Sequence, residues 1–227
     1  MEEIQCGLYL VATPIGNLDD ISMRALNVLR SVDTIACEDT RHSLKLLNHY
    51  DIHKHLIAYH SYNEQHSADG IMNLIRSGKS VALITDCGTP CISDPGWVIV
   101  HKCVEEGIRV LAVPGAAAVI TALIVSGFRT DKFAFIGFLS PKSGRRKNEL
   151  ERYKSFEGTI ILYASPYQVA KVIKDIGEVY PDKQVCAVKE LTKINEQKLI
   201  GSADEVLTQL GEPDKIKGEF VVMIGNY

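Results

Sequence analysis

Three segments rich in glycine and proline carry the residue types best suited to chemistry. They are Thr13-Pro14-Ile15-Gly16-Asn17-Leu18, the run TDCGTPCISDPG from Thr85 to Gly96, and VPGAAA from Val113 to Ala118. Each begins where a short apolar run ends. Glycine lets main chain approach a ligand closely and adopt positive φ. Proline fixes loop shape and reduces the entropy lost on ordering. Helix starts behind such loops offer free N–H groups. One such loop is an ordinary strand-to-helix turn. Three in one half of a chain suit a small-molecule cleft. A fourth segment, Glu38-Asp39-Thr40-Arg41, puts two carboxylates and a guanidinium after another apolar run. A carboxylate there could accept a hydroxyl proton, and a guanidinium suits a phosphate. The same set also reads as a structural ion pair at a strand end. Asp86 reads as a loop-bracing or helix-capping carboxylate.

Familiar nucleotide motifs are absent. There is no G-x-x-x-x-G-K-[ST] and no G-x-G-x-x-G after the first strand, and no G-x-S-x-G elbow. Histidines 42, 49, 53, 55, 60 and 66 cluster in sequence without metal-ligand spacing, so no metal is expected. The densest basic stretch is Lys142, Arg145, Arg146, Lys147, Arg152 and Lys154, interrupted by Glu149 and Glu151. It reads either as a solvated helix face or as a set of phosphate contacts.

Apolar runs alternate with segments of helical period, and these elements must position the loops. Strands are expected at Leu8–Thr13, Thr34–Cys37, Val81–Thr85, Arg109–Val113, Phe133–Gly137, Thr159–Tyr163, Val185–Lys189 and Phe220–Ile224. Helices of 8–15 residues between them predict βαβ units, an α/β fold and a mostly parallel sheet. Ligands of such sheets bind outside the carboxyl ends of the strands, where all three loops fall. The pattern breaks at Gly127–Asp131, which predicts two α/β domains, 1–127 and 128–227.

The chain has 227 residues, 46% apolar and 23% charged, with a net charge of −3. That balance excludes a disordered chain and a general polyanion binder, so any nucleic-acid contact must be a local patch. No apolar run reaches the ~20 residues of a membrane span. The acidic start, Met1 to Gly7, does not read as a signal peptide. Both suggest a cytoplasmic protein. The six cysteines form no C-x-x-C pair and are expected to be reduced and buried.

The loops, together with EDTR, resemble the tetrapyrrole methylase superfamily of S-adenosylmethionine-dependent enzymes. The likeness covers nearly the whole chain. It is strongest in LYLVATPIGNLDDISMRALNVL, IACEDTRHS, the HSYNEQ segment from His60, DCGTPCISDPG and IRVLAVPG, and continues in Gly137-Phe138-Leu139, Lys142 and KELTK from Lys189. Within the superfamily it is similar to the branch acting on the ribose 2′-hydroxyl of a decoding-region cytidine in small-subunit (16S) ribosomal RNA.

The resemblance implies two α/β domains with S-adenosylmethionine in the cleft between them, a homodimer, and the ribosomal subunit as partner. It implies that Pro14 and Gly16 shape the first cofactor loop and that Asp86, Gly88 and Thr89 contact the cofactor. Pro114, Gly115, Ala117 and Ala118 would contribute main chain, and Tyr163 and Leu191 would close the site from the second domain. Glu38, Asp39 and Arg41 are the best catalytic or acceptor-binding set, and Lys142, Arg145, Arg146 and Lys147 the RNA-binding set.

The chain departs from the family pattern at Thr85, Cys87, Ala116, Ala164, Tyr167, Gln168 and in INEQKLIG from Ile194. A Glu, a His and an Arg are missing together from the second half. Two alternatives therefore stay open. One is a cofactor-binding, ribosome-binding paralogue with altered catalysis. The other is a methyltransferase of this fold with a tetrapyrrole or protein acceptor.

Overall fold

A computed structural model describes residues 4–60, 62 and 64–226. Ser61 and Asn63 of the HSYNEQ segment, and Met1 to Glu3 of the expected acidic start, lie outside the described residues. The chain divides into two compact units, one ending at Ala117 and the other beginning at Ala118.

The first unit holds β1 (Gly7–Val11), α1 (Met23–Ser31), β2 (Thr34–Cys37), α2 (Thr40–His49), β3 (His55–Ala58), α3 (Glu64–Arg76), β4 (Ser80–Ile84), α4 (Trp97–Glu105) and β5 (Val110–Val113). The strands form one parallel sheet in the order β3-β2-β4-β1-β5. β2 and β4 are buried at every position, because helices cover both faces of the sheet. Side chains alternate accordingly. Tyr9, Val11, Ile35, Cys37, Ala82 and Ile84 join Leu26, Leu29 and Leu47 of α1 and α2 on one face. Leu8, Ala36, Val81 and Leu83 join Ile71, Met72, Ile99 and Cys103 of α3 and α4 on the other. Adjacent strands β1 and β4 thus send their following helices to opposite faces. That reversal makes the carboxyl edge at β1 and β4 the switch point, where open α/β sheets hold a ligand in a crevice beyond the strand ends.

The second unit holds α5 (Ala118–Ser126), β6 (Phe133–Phe138), α6 (Ser143–Glu151), β7 (Thr159–Ala164), α7 (Val169–Val179), β8 (Gln184–Lys189), β9 (Gln197–Gly201), α8 (Ala203–Leu210) and β10 (Phe220–Gly225). Its sheet order is β6-β7-β10-β8-β9. Only β6 and β7 are parallel; β10 runs antiparallel to both β7 and β8, as does β9 to β8. The expectation of mostly parallel pairing therefore fails in this half.

Two edge strands, β3 and β9, were not expected. Both are partly exposed, so their sequences lack the apolar runs of the central strands. The expected boundary at residue 127 also lies beyond the observed one, because α5 buries Val119, Ala122 and Leu123 and packs on β7, β8 and β10. The GFRTD turn ends a helix: Phe128 is buried and its N–H donates to the Ser126 hydroxyl at 3.0 Å.

Candidate functional site

Hydrogen bonds tie the three expected loops into one rim around the crevice. Thr13, just past β1, exchanges both main-chain hydrogen bonds with Gly88, at 2.9 and 3.1 Å. Its buried hydroxyl donates to the Thr85 carbonyl at 3.1 Å. The Thr89 hydroxyl donates to the Ala116 carbonyl at 3.0 Å, joining the third loop. Two glycines permit this closeness. Gly88 has φ +87°, and a Cβ there would lie 3.3 Å from Ile15 Cγ2. A Cβ on Gly115 would stand 2.9 Å from that of Ala12. Pro14, Gly16, Asp86, Gly88, Thr89, Pro114, Gly115 and Ala117 all lie on these loops. Ala118 opens α5 in the second unit.

The far end of the long loop is anchored by residues the sequence reading did not single out. The Glu64 carboxylate accepts the Gly96 N–H at 2.8 Å and the Tyr59 hydroxyl at 3.1 Å. Tyr59 is buried and its oxygen accepts the Ile99 N–H at 3.3 Å. Gly96 has no capping side chain, so Glu64 supplies the anion at the start of α4. Between these anchors, Cys91 and Ser93 hold positive φ, a conformation non-glycine residues adopt at a cost. A general sequence signal for Glu64 was weak, since it reads as an ordinary first-turn acid of α3.

Carboxylates gather on the β2 side of the crevice. Asp86 accepts the Asp39 N–H at 3.3 Å. Burial raises Glu38, and the charge of Asp86 adds to the effect. Burial pushes Asp94 up to about 6, with the charges of Glu38 and Asp86 adding repulsion. Asp94 sits in the quoted loop, but only the fold brings it beside Glu38. Asp39 behaves differently. It caps α2 by accepting the Arg41 N–H at 2.8 Å and pairs with the Arg41 guanidinium at 3.3 Å. That pair holds the Asp39 carboxyl below its ordinary range. Arg41 is 89% exposed, so this is a surface pair and its guanidinium faces solvent.

In the second unit, Tyr163 packs its ring edge-on to Phe135 at 4.8 Å and tilted to Phe138 at 5.4 Å. Leu191 is buried in a turn whose neighbours Glu190 and Thr192 both have positive φ. The Glu190 carboxylate holds that turn by accepting the Glu219 N–H at 3.0 Å and Lys193 Nζ at 3.1 Å. The Thr192 hydroxyl and the Gln168 side-chain carbonyl are buried with no hydrogen-bond partner.

The basic stretch splits, correcting the expectation that Arg146 and Lys147 meet RNA. Arg146 is 2% exposed and pairs with buried Asp175 at 2.6 Å, while donating to the Ser140 carbonyl at 2.9 Å. Lys147 pairs with Glu178 and Lys154 with Glu151. Helical phase is the reason: Arg146 and Leu150 share the buried face of α6. Lys142, Arg145 and Arg152 are exposed and form no ion pair among the described residues. The cysteine expectation holds for Cys37, Cys103 and Cys186; Cys6 and Cys87 are exposed instead, because they lie outside the sheet interior.

The rim suits a ligand with polar groups at several points and positive charge near Asp86, Glu38 and Asp94. S-adenosylmethionine has an amine, a carboxylate, ribose hydroxyls and a sulfonium cation, so this donor set fits it.

Comparison with known proteins agrees. The family model described as tetrapyrrole (corrin/porphyrin) methylases matches residues 7–207. The chain is 45% identical over 217 residues to the ribosomal RNA small subunit methyltransferase I of Mycoplasmopsis pulmonis, covering 95% of this chain and 96% of that one. It is 42% identical over 217 residues to the protein of that name from Bacillus subtilis, covering 96% and 74%. Among solved structures, a diphthine synthase superposes with a TM-score of 0.75 at 13% identity, covering 96% of this chain and 89% of that one. A uroporphyrin-III C-methyl transferase from Thermus thermophilus complexed with S-adenyl homocysteine gives 0.69 at 15% identity, covering 96% and 97%. The match over residues 7–207 and the 42–45% identities together mean that the chain belongs to the tetrapyrrole methylase family.

Proposed function

We propose that this chain is an S-adenosylmethionine-dependent methyltransferase that methylates the ribose 2′-hydroxyl of a decoding-region cytidine in small-subunit (16S) ribosomal RNA. The observation that carries this reading is the 42–45% identity, along nearly its whole length, to proteins named ribosomal RNA small subunit methyltransferase I. The bonded rim of three loops supports it.

When bound, S-adenosylmethionine supplies a methyl group on a sulfonium, open to in-line displacement at carbon. The chain's own residues do the rest. The Thr13–Gly88 bridge and the Thr89–Ala116 bond hold the loops rigid, and positioning of this kind is worth up to ~7–11 kcal/mol in well-oriented systems. Asp86 and Glu38 place negative charge at the crevice. Asp94 has its carboxyl at about 6, within the range where a general base works best near neutral pH. Its carboxylate oxygen is the acceptor for the ribose hydroxyl proton. Arg41, with its guanidinium in solvent, meets a phosphate of the acceptor strand.

The acceptor is the assembled or nearly assembled subunit in the cytoplasm, since a chain of net charge −3 has little general attraction for naked RNA. Among the described residues no helix is long and apolar enough to cross a membrane. Exposed Ile120 and Ile124 on α5 supply the kind of apolar face a second copy would cover in a homodimer.

Mapping ribose methylation on small-subunit rRNA with and without the gene tests this. Loss of one 2′-O-methylcytidine from the decoding region is expected. An unchanged methylation pattern, together with methyl transfer to a tetrapyrrole or protein, would overturn the assignment.

A further inference from the structure

Between β6 and α6 lies a cavity of about 270 Å³, lined by Ile136, Phe138, Leu139, Glu149, Arg152 and Tyr153. Its composition is specific: two aromatic rings, two aliphatic side chains, one carboxylate and one guanidinium. Phe138 is 62% exposed, and its ring also contacts Tyr163.

The exposed cations of α6 lead into it. Lys142, Arg145, Glu149 and Arg152 follow a spacing of three, four and three, which places them on one side of the helix. The line from Lys142 to Arg152 is about 15 Å long at 1.5 Å per residue. The adjoining face is held down by the buried Arg146–Asp175 pair and by the Ser143 hydroxyl donating to Asp175 at 2.9 Å. Glu149 accepts the Ser140 N–H at 3.0 Å, fixing the rim of the cavity to the loop before α6.

We propose that this cavity takes one unstacked nucleobase of the acceptor RNA strand. The inference rests on the rRNA reading above. Unpaired bases are recognised by stacking on aromatic rings and guanidinium planes. A volume of about 270 Å³ holds a single base and excludes a folded helix. Phe138 and Tyr153 supply ring faces, Arg152 meets the adjoining phosphate, and Lys142 and Arg145 follow the strand outward. Glu149 offers an acceptor for an exocyclic amine, favouring cytosine, adenine or guanine over uracil.

The test uses the full chain and small ribosomal subunits purified from cells lacking the gene. Phe138→Ala should raise KM for subunits at least tenfold. Its kcat and its affinity for S-adenosylmethionine should stay within twofold of the parent, and Phe138→Trp should restore KM. Arg152→Gln, at an exposed position that folding does not need, should lower the slope of log affinity against log salt by about 1. Unchanged KM and salt slope in both variants would overturn the proposal. So would a parallel loss of cofactor affinity in Phe138→Ala, which would make Phe138 a support for Tyr163. A parent chain that leaves the rRNA unmethylated would overturn the rRNA reading and this proposal with it.

Discussion

The two ends of the first unit's sheet treat their carboxylates in opposite ways. At the amino end, Asp33 accepts the Ser80 N–H and hydroxyl, both at 2.8 Å, and pairs with Lys79 at 3.2 Å. The Ser80 bonds lead in bringing its carboxyl down to about 2. At the carboxyl end of the same strand β4, burial lifts Asp94 to about 6 and neighbouring carboxylates add to the rise. One end stabilises a charge with donors; the other crowds charges with few. Groups held against their preference cluster where ligands are bound, so the contrast separates the edge that fastens the sheet from the edge that works.

Gly88→Val gives the sharpest test. The φ of +87° disfavours any side chain, and the nearest atom of Ile15 leaves no room for a branched one. Calorimetry should show S-adenosylmethionine affinity falling more than a hundredfold, while the circular dichroism spectrum stays that of a folded protein.

Asp94→Asn should lower single-turnover methyl transfer about a hundredfold, within the usual range for a lost general base. Parent kcat/KM should rise as pH climbs through about 6 and then level, and the variant should lose that rise. Stability should move the other way. A carboxyl raised from 3.8 to about 6 holds its proton more tightly in the folded state, so its favourable contribution is present at low pH and is lost as pH rises through about 6. The variant should therefore melt higher than the parent above pH 6, by about 1 kcal/mol once solvent screening is allowed for, and equally below pH 4. A variant both inactive and less stable at pH 7.5 would return Asp94 to a structural role.

Asp33→Asn sharpens the other arm. Its folded carboxyl lies below the ordinary value, so its contribution is present above pH 4 and disappears as pH falls toward 2. Thermal melts at pH 7 should show a loss of about 1 kcal/mol, reduced by its 40% exposed side chain, with methylation per folded molecule unchanged. The smallest effect on stability belongs to Arg41→Ala, which removes only a solvent-exposed pair, so its melting temperature should match the parent's. Its signature should be a several-fold higher KM for subunits at constant cofactor affinity.

Much of the first unit was legible in advance. LYLVAT and TIAC are apolar throughout because β1 and β2 are covered on both faces, and that needs no tertiary knowledge to see. The three loops could be placed on one edge because parallel strands put every following loop at the same end. The second unit was less legible. Its central strands are as apolar as those of the first, and apolarity does not report direction, so the antiparallel β10 between β7 and β8 could not be read. β3 and β9 escaped notice because edge strands need bury only part of their side chains.

Arg145 and Arg146 show where sequence stops. They are adjacent and chemically identical, yet one is exposed and the other is 2% exposed against Asp175, a residue 29 positions away. The same holds for Glu38 and Asp94, which share no local pattern. Sequence alone determined the central strands, the loop edge and the family, because these follow from local apolar runs, turn residues and contiguous motifs. Tertiary structure alone decided which charges are buried, which carboxylates crowd together and which cations remain available. Those depend on helix phase and on distances between residues far apart in the chain, and burial sets their protonation.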